Sequence, residues 1–388
     1  MGSTIFSVLF VCSMLAILAG CASVPPIDPA ANTTSVPTAT PLPVISTSTT
    51  VIAFPTPMAT LTTHPTPSPM TISMQAPTCP AGVYPMIGVQ AANGIASIRP
   101  AYQFPFGPYG NLSLSAPIAM GVYRGASHAD KSAYLDGAFP ESSWVPCYYR
   151  SFIQDASQEE FYNGLIAEFR RVRAENYLDS DQYLELITSF VQSIPYGTEQ
   201  GAPKFPVETF TDYTGDCDDK ALLLAALLAR EGYNTSLLYF APEKHMGVGI
   251  ADPENPFRSS GYAYIETTGT FLVGMVPERI QGGKELRSEP MIIAISAGRS
   301  YGSGAQVKTI LSAYYRSRET IFVQLPTLHN DPDLLNTFLG NGTIMSLYES
   351  LNGDMTGSAS FREDVLILHT IASHLNDRAG IYRWLTSR

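Results

Sequence analysis

Residues 215–224 read GDCDDKALLL, and this stretch decides how the central part of the chain folds. Asp216 is a typical N-cap residue, and the acidic residues that follow suit the positive end of a helix. Leucine and alanine then dominate as far as Glu231, and Gly232 predicts the end of the helix. A helix that is apolar around most of its circumference lies buried at the centre of a domain.

Extended apolar runs follow this helix, with Pro242 and a polar loop at 252–260 between them. The runs are Thr235–Phe240, Met246–Ala251, Tyr262–Thr268 and Pro290–Ala297. A buried helix followed by strands that short loops can reverse predicts an α+β fold with an antiparallel sheet. The expected core covers residues 155–285, and the run at Pro290–Ala297 would add a further strand from beyond it.

Other parts of the chain are predicted more coarsely. Capping-box patterns that begin at Ser157 and at Asp179 each lead into an apolar stripe and predict two further helices. Residues 79–154, rich in glycine and proline, are predicted to be strands and loops. Residues 286–388 are predicted to form an α-rich C-terminal extension, to which we assign no role.

The composition restricts the class of protein. Of the 388 residues, 45% are hydrophobic and 15% are charged, and the formal net charge is −11. An acidic chain without a basic block argues against nucleic-acid binding and against adhesion to anionic lipid. After the first twenty residues no stretch holds about 18 uncharged apolar residues in a row, which argues against several membrane spans.

The first twenty residues predict an export signal. An apolar run begins at Ile5 and has the length of a signal-peptide core, and it ends in Leu18-Ala19-Gly20-Cys21. This ending resembles a bacterial lipobox, in which the cysteine becomes the lipidated N-terminus. The resemblance implies export and attachment through lipid on Cys21, at the outer side of the cytoplasmic membrane or in the cell envelope. A plain signal peptide or anchor with a chance cysteine is the alternative.

Residues 21–78 are predicted to be a disordered stalk. Proline, threonine and serine supply 32 of the 57 residues between 22 and 78. Such a composition cannot bury a hydrophobic core. The stalk would separate the lipid anchor from a globular head that begins at residue 79.

The cysteines of the head divide into a pair and a single residue. Cys79 and Cys147 lie in its N-terminal part, and an exported protein can keep a disulfide between them. Two separate buried thiols are the alternative. Cys217 is left without a partner, either as a small buried hydrophobe or as a reactive thiol.

Cys217 lies where a catalytic thiol is expected, in the first turn of the central helix. The unpaired N–H groups and the helix dipole there lower a thiol pKa, whereas adjacent aspartates raise it. A base is therefore needed, and His245 and Glu266 lie on neighbouring predicted strands that can bring both to the helix tip. In such a triad the cysteine attacks, the histidine transfers the proton, and the acid fixes the imidazole tautomer.

The aspartates beside Cys217 are not expected to bind calcium. Asp216, Asp218 and Asp219 are almost consecutive, so their side chains diverge, and no calcium-loop spacing follows them. The sequence predicts neither a metal nor a cofactor.

Several ordered segments resemble the prokaryotic branch of the transglutaminase-like superfamily. They are GDCDDKALLL itself, FVQSIPY at 190–196, FPVETF at 205–210, HMGVG at 245–249 and YIETTG at 264–269. The resemblance covers roughly residues 155–277 and implies a papain-like core with a Cys–His–Asp/Glu triad on Cys217, His245 and Glu266. The acid is glutamate here, where much of the superfamily has aspartate.

The resemblance also implies the reaction. Family members transfer an acyl group from an amide to water or to an amine, so the expected partner is a peptide or protein substrate. The candidate donors to the oxyanion are the Cys217 N–H and the side chains of Tyr196, Gln200 and Tyr213. A non-catalytic binding or scaffold module at the cell surface and an amine-crosslinking transglutaminase are the alternatives.

Overall fold

A computed structural model describes residues 78–91, 94–197, 201–324 and 359–388. The predicted export signal, the lipidation site at Cys21, the stalk and Gln200 lie outside these ranges. Within them, the helices fall short of the length and apolar character that crossing a membrane requires.

The chain forms ten strands and nine helices within the described ranges, apart from two short 3₁₀ turns. The strands are β1 Gly82–Val83, β2 Ser97–Ile98, β3 Ala101–Pro105, β4 Asn111–Ser115, β5 Ile118–Ala119, β6 Tyr134–Leu135, β7 Thr235–Phe240, β8 His245–Ala251, β9 Tyr262–Ile265 and β10 Met291–Ser296. The helices are α1 Met120–Ser127, α2 Glu141–Gln154, α3 Glu159–Glu175, α4 Ser180–Ser193, α5 Pro206–Asp212, α6 Cys217–Arg230, α7 Gly304–Gln324, α8 Ala359–Ser373 and α9 Arg378–Thr386.

Helix α6 lies at the centre of the head and packs on a four-stranded sheet. The sheet has the order β10-β7-β8-β9 and is antiparallel throughout. Residues Ala221 to Leu228 are fully buried, because α6 contacts β7, β8 and β10 as well as α2, α4 and α5. The predicted buried helix and the α+β class are confirmed.

The N-terminal part of the head differs from its prediction as strands and loops. The strands there form only two-stranded pairs, and two helices, α1 and α2, lie among them. Pro146 stands inside α2, and the buried residues Val145, Phe152 and Ile153 of this helix belong to the core. Packing of this apolar face therefore outweighs the local preference of proline for a loop.

The helix predicted from Ser157 begins two residues later, at Glu159. The carboxylate of Asp155 accepts a hydrogen bond from the Ser157 N–H at 2.9 Å and closes a 3₁₀ turn ahead of α3. The capping box at Asp179 forms as predicted and begins α4.

Covalent and ionic links tie the outer parts of the head to this core. Cys79 and Cys147 are joined in a disulfide, which attaches the first described residues to α2. At the other end of the chain, Arg378 of α9 forms an ion pair with Glu185 of α4. The Tyr301 hydroxyl donates to the same carboxylate.

Candidate active site

Cys217 is the first residue of α6, and the cap of that helix fixes its position. The Asp216 carboxylate accepts from the Asp219 N–H at 3.4 Å, and the Asp219 carboxylate accepts from the Asp216 N–H at 3.2 Å. The backbone N–H of Met246, the residue that follows His245 on β8, lies close enough to the Cys217 thiol to lower its pKa. The cap thus places the sulfur beside the first residues of β8.

His245, Tyr264 and Glu266 form a buried hydrogen-bonded group. The Tyr264 hydroxyl lies 2.9 Å from His245 Nε2 and 2.7 Å from Glu266 Oε2. His245 Nε2 lies 3.2 Å from the same carboxylate oxygen. The group forms where two strands meet, because Tyr264 on β9 pairs with Gly249 on β8 and Glu266 follows β9 directly.

The single proton of the tyrosine hydroxyl fixes the histidine tautomer. The Tyr264 hydroxyl donates its proton to the Glu266 carboxylate, which can only accept. A lone pair of the hydroxyl oxygen therefore faces His245, and the protonated ring nitrogen is Nε2. In the neutral form of this tautomer, Nδ1 is the ring nitrogen that carries no proton. It is the atom that can take a proton from a thiol.

Glu266 is held as a carboxylate. Its Oε1 accepts hydrogen bonds from the Thr267 N–H, the Thr268 N–H and the Thr268 hydroxyl, at 2.9, 2.9 and 2.8 Å. Burial raises the pKa of Glu266, but the hydrogen bond and charge of His245, with the bonds from Tyr264 and Thr268, lower it to about 2. These bonds to Thr267 and Thr268 also end β9 at Ile265, earlier than the predicted strand end at Thr268.

Gly247 allows the tyrosine to reach the histidine. A Cβ atom at Gly247 would lie 2.4 Å from the Tyr264 ring, so the ring crosses β8 where no side chain stands. By strand alternation, His245 and Tyr264 lie on one face of the sheet, whereas Met246 and Val248 lie on the face that packs with α6.

The structure therefore differs from the expectation that His245 and Glu266 both face the helix tip. The imidazole lies on the sheet face away from α6 and bonds to Tyr264, whereas the Cys217 thiol lies near the Met246 N–H. His245 is the first residue of β8, so the thiol lies near the backbone of the residue that follows it.

The surroundings hold the thiol in its neutral form. Burial raises the pKa of Cys217, the charges of Asp218 and Asp216 raise it further, and the Met246 N–H lowers it. Burial likewise raises the pKa of Asp218 well above its ordinary value and that of Asp219 to about 6. Cys217 is therefore held as a thiol, and a reaction at its sulfur would need a base to remove the proton.

The three aspartates converge at the cap of α6. The prediction that their side chains diverge is wrong, because one carboxylate oxygen of each lies within 4.8 Å of those of the other two. Asp218 accepts from the Asp219 N–H at 2.9 Å, and Asp219 accepts from the Lys204 N–H at 2.6 Å. The carboxylates are thus occupied by backbone N–H groups at the start of the helix.

The structure distinguishes among the candidate oxyanion donors. The Cys217 N–H belongs to the first turn of α6, whose N–H groups have no partner within the helix. The Tyr213 ring stacks on Tyr102 with centroids 3.9 Å apart, which explains Tyr213 by packing. Tyr196 is half-buried beside the thiol, and burial first, then the charge of Cys217, raises its pKa to about 12.

Sequence reasoning missed Tyr264 and Gln192. Tyr264 lies two positions before Glu266, so strand alternation could have placed it with Glu266 on the sheet face of His245. Gln192 gave no signal: its side-chain amide donates to the carbonyls of Glu266 and Phe271 at 2.8 and 3.0 Å, and only the folded chain brings them together.

Comparison with known proteins gives no relative for this chain. No family model matches it, and no curated protein and no solved structure matches it either.

Proposed function

We propose that this protein is a cysteine hydrolase or acyltransferase that acts on peptide-type amides through Cys217, His245 and Glu266. The ordered histidine is the observation that carries the proposal. Its Nε2–H is bonded to Tyr264 and lies 3.2 Å from an ionised Glu266, which leaves Nδ1 as the base. An imidazole ordered in this way, together with a cysteine at a helix N-terminus near the same strand, suits thiol catalysis.

The reaction would proceed through a thioester. The sulfur of Cys217 attacks the amide carbonyl while Nδ1 of His245 takes the thiol proton, and the Cys217 N–H stabilises the oxyanion. The imidazolium then gives its proton to the leaving amine. Water or a second amine attacks the thioester with the histidine again as base, and the thiol is regenerated.

The thiol and the imidazole must turn towards each other for this chemistry. The imidazole is hydrogen-bonded to the Tyr264 hydroxyl, and the thiol lies near the Met246 N–H. Catalytic hydrogen bonds are often long or poorly aligned before substrate binds. The proposal requires the sulfur of Cys217 to come within hydrogen-bond reach of His245 Nδ1 when substrate binds.

Membership of the transglutaminase-like superfamily and a papain-like core belong to the same proposal. It is supported by the placement of Cys217 at the start of a buried helix that packs on an antiparallel sheet. It is further supported by His245 and Glu266 at the ends of adjacent strands. With lipid on Cys21 and the stalk, the head would act on peptides or proteins outside the cytoplasmic membrane.

Acetylation by p-nitrophenyl acetate tests the proposal without knowledge of the substrate. We expect the full chain to release nitrophenol and to carry an acetyl group on Cys217, located by mass spectrometry. Both signals should be absent from C217S and strongly reduced in H245A. Equal acetylation of the wild type and H245A would contradict the proposal.

The same experiment separates the alternatives. Decay of the acetyl-enzyme in water indicates a hydrolase, whereas decay that needs an added primary amine indicates a crosslinking transglutaminase. A folded wild type whose Cys217 is not acetylated, although it reacts after denaturation, indicates a non-catalytic binding module.

A further inference from the structure

Lys220 is a fully buried lysine close to the candidate site. It lies one turn after Cys217 on α6, and among the described residues it forms no ion pair. Its ammonium group donates to the backbone carbonyls of Ile194 at 2.6 Å and Gln192 at 3.3 Å. A buried ammonium without a carboxylate partner is costly for folding, and Met of similar length would fill the same space without that cost.

The carbonyls that Lys220 contacts lie at the C-terminal end of α4. Such carbonyls have no partner within the helix, and the negative end of the helix dipole favours a cation there. These interactions account for the ammonium group locally, but they do not explain why a charged side chain is used inside the core.

Gln192 links the contacts of Lys220 to Glu266, the proposed acid of the triad. Its side-chain amide donates to the backbone carbonyls of Glu266 and Phe271. A series of buried hydrogen bonds thus runs from Lys220, on the helix of the nucleophile, through the last turn of α4 to the residue that orients His245. Burial lowers the pKa of Lys220 to about 8, and the charge of Glu266 raises it. The ammonium group and the Glu266 carboxylate therefore attract each other, which is consistent with this role.

We propose that Lys220 and Gln192 are positioning residues, which set the helix of Cys217 against the loop of Glu266 so that the thiol and the histidine can pair. The inference rests on the proposed function. It goes beyond the triad, because neither residue touches the reacting atoms. A capping role alone would require only that the carbonyls at the end of α4 find donors.

Lys220→Met and Gln192→Met test this role in the full chain. Both substitutions keep a side chain of similar length and remove its donors. The measurement is the rate of Cys217 alkylation by iodoacetamide between about pH 5 and pH 9, located by mass spectrometry, together with thermal unfolding. We expect each variant to lower the histidine-dependent rate near pH 6 by about 10- to 100-fold, because catalytic groups lose rate steeply when misplaced. The pH profile should move towards that of H245A.

Arg150→Met is the matched control. Arg150 is also a buried cation that donates to a backbone carbonyl, because its guanidinium makes two hydrogen bonds to the carbonyl of Ala294 on β10. Strand β10 lies at the edge of the sheet opposite β9. We expect this variant to change the unfolding temperature and to leave the pH profile of Cys217 unchanged.

The outcomes are distinguishable. A wild-type rate and pH profile in folded K220M and Q192M would overturn the positioning role and leave the proposed function standing. If K220M does not fold, Q192M alone decides the question. A wild type that is not alkylated near pH 6, or in which H245A reacts equally, would overturn the proposed function and the positioning role with it.

Discussion

At the scale of the residue, one hydroxyl proton organises the site. Tyr264 donates it to Glu266 and accepts from His245, so the acid and the base are ordered through a third side chain as well as by their 3.2 Å contact. In the proposed reaction Nδ1 of His245 would act as the base. The thiol is held neutral by burial and by its aspartate neighbours. The proton would therefore move at the moment of attack, in contrast to sites that keep a permanent thiolate.

Tyr264→Phe removes this hydroxyl without removing the ring. We expect the acylation rate of Cys217 to fall by about 10-fold, since His245 keeps its direct contact with Glu266 but loses the hydrogen bond that fixes its tautomer. The pH dependence should shift as well. Tyr262→Phe is the control, because this hydroxyl on the same strand bonds to Asn234 instead. Equal rates in Y264F and the wild type would contradict the role of the hydroxyl.

Asp218→Asn tests the electrostatics of the thiol. The Asp218 carboxylate raises the pKa of Cys217 when it is ionised, and its own pKa is raised by burial. At low pH the carboxyl is neutral, so the variant and the wild type should be alkylated alike. As the pH rises the wild-type carboxylate suppresses the thiolate, and D218N should become faster by up to about 10-fold.

The control for this prediction is Asp212→Asn, which lies near α6 but pairs with Lys204 and Tyr123. A constant ratio between D218N and the wild type at every pH would show that the carboxylate does not act through its charge.

The sequence was sufficient to select candidate site residues, but it did not predict which side chains contact one another there. Cys217, His245 and Glu266 stand in local patterns: a cap followed by a helix, and two runs of β-branched and aromatic residues. Tyr264 acts through a contact across two strands, and Gln192 acts through backbone carbonyls far along the chain. Such contacts depend on register and packing, which a single sequence does not contain.

At the scale of the element, the close approach of β8 and β9 determines the site. The Tyr264 ring passes over Gly247, and any side chain there would displace it. Strand β8 therefore contributes to the site in two ways, through the His245 side chain and through the space that Gly247 leaves for the Tyr264 ring. The same strand presents Val248 to α6 on its other face, so its two faces serve the core and the site separately.

Gly247→Ala should displace the Tyr264 ring, because the new Cβ would lie 2.4 Å from it. We expect lower stability together with a loss of histidine-dependent alkylation of Cys217, measured by mass spectrometry near pH 6 as above. Gly249→Ala is the matched control: its Cβ would meet the Ser236 hydroxyl at 2.5 Å, away from His245. Similar unfolding temperatures with a changed pH profile only in G247A would support the account, and identical profiles would contradict it.

Elements with strong local signals were predicted well. Helix α6, its cap and its end agree with the prediction, and β7 covers the predicted Thr235–Phe240. Helices α1 and α2 were missed because two glycines in α1 and Pro146 in α2 weaken the local helix signal. Their helical state is favoured by contacts with the core that appear only in the folded chain.

At the scale of the whole molecule, the head is held at its N-terminal side by a covalent link. The disulfide joins Cys79 and Cys147, which are 68 positions apart in sequence, and ties the start of the head to α2. Helix α2 contacts α6 directly. The link therefore stabilises the framework around the site without touching its chemistry.

Replacement of both cysteines by serine should lower the free energy of unfolding by about 2–4 kcal/mol, because the unfolded chain gains the entropy of a long open loop. Denaturant unfolding of the double variant and the wild type measures this difference. The pH profile of Cys217 alkylation should not change below the unfolding transition. Unchanged stability would contradict the structural role of the disulfide.

The central claim is that His245 activates Cys217, and the alkylation of the full chain by limiting iodoacetamide tests it most directly. Wild type and H245A are compared between about pH 5 and pH 9, and mass spectrometry separates Cys217 from the other cysteines. We predict that the label appears on Cys217 near pH 6 in the wild type, because His245 takes the thiol proton as the sulfur attacks the reagent, and that the label is lost in H245A. A folded wild type whose Cys217 stays unlabelled near pH 6 but reacts fully after denaturation would contradict the account, because the thiol would then be a buried structural residue.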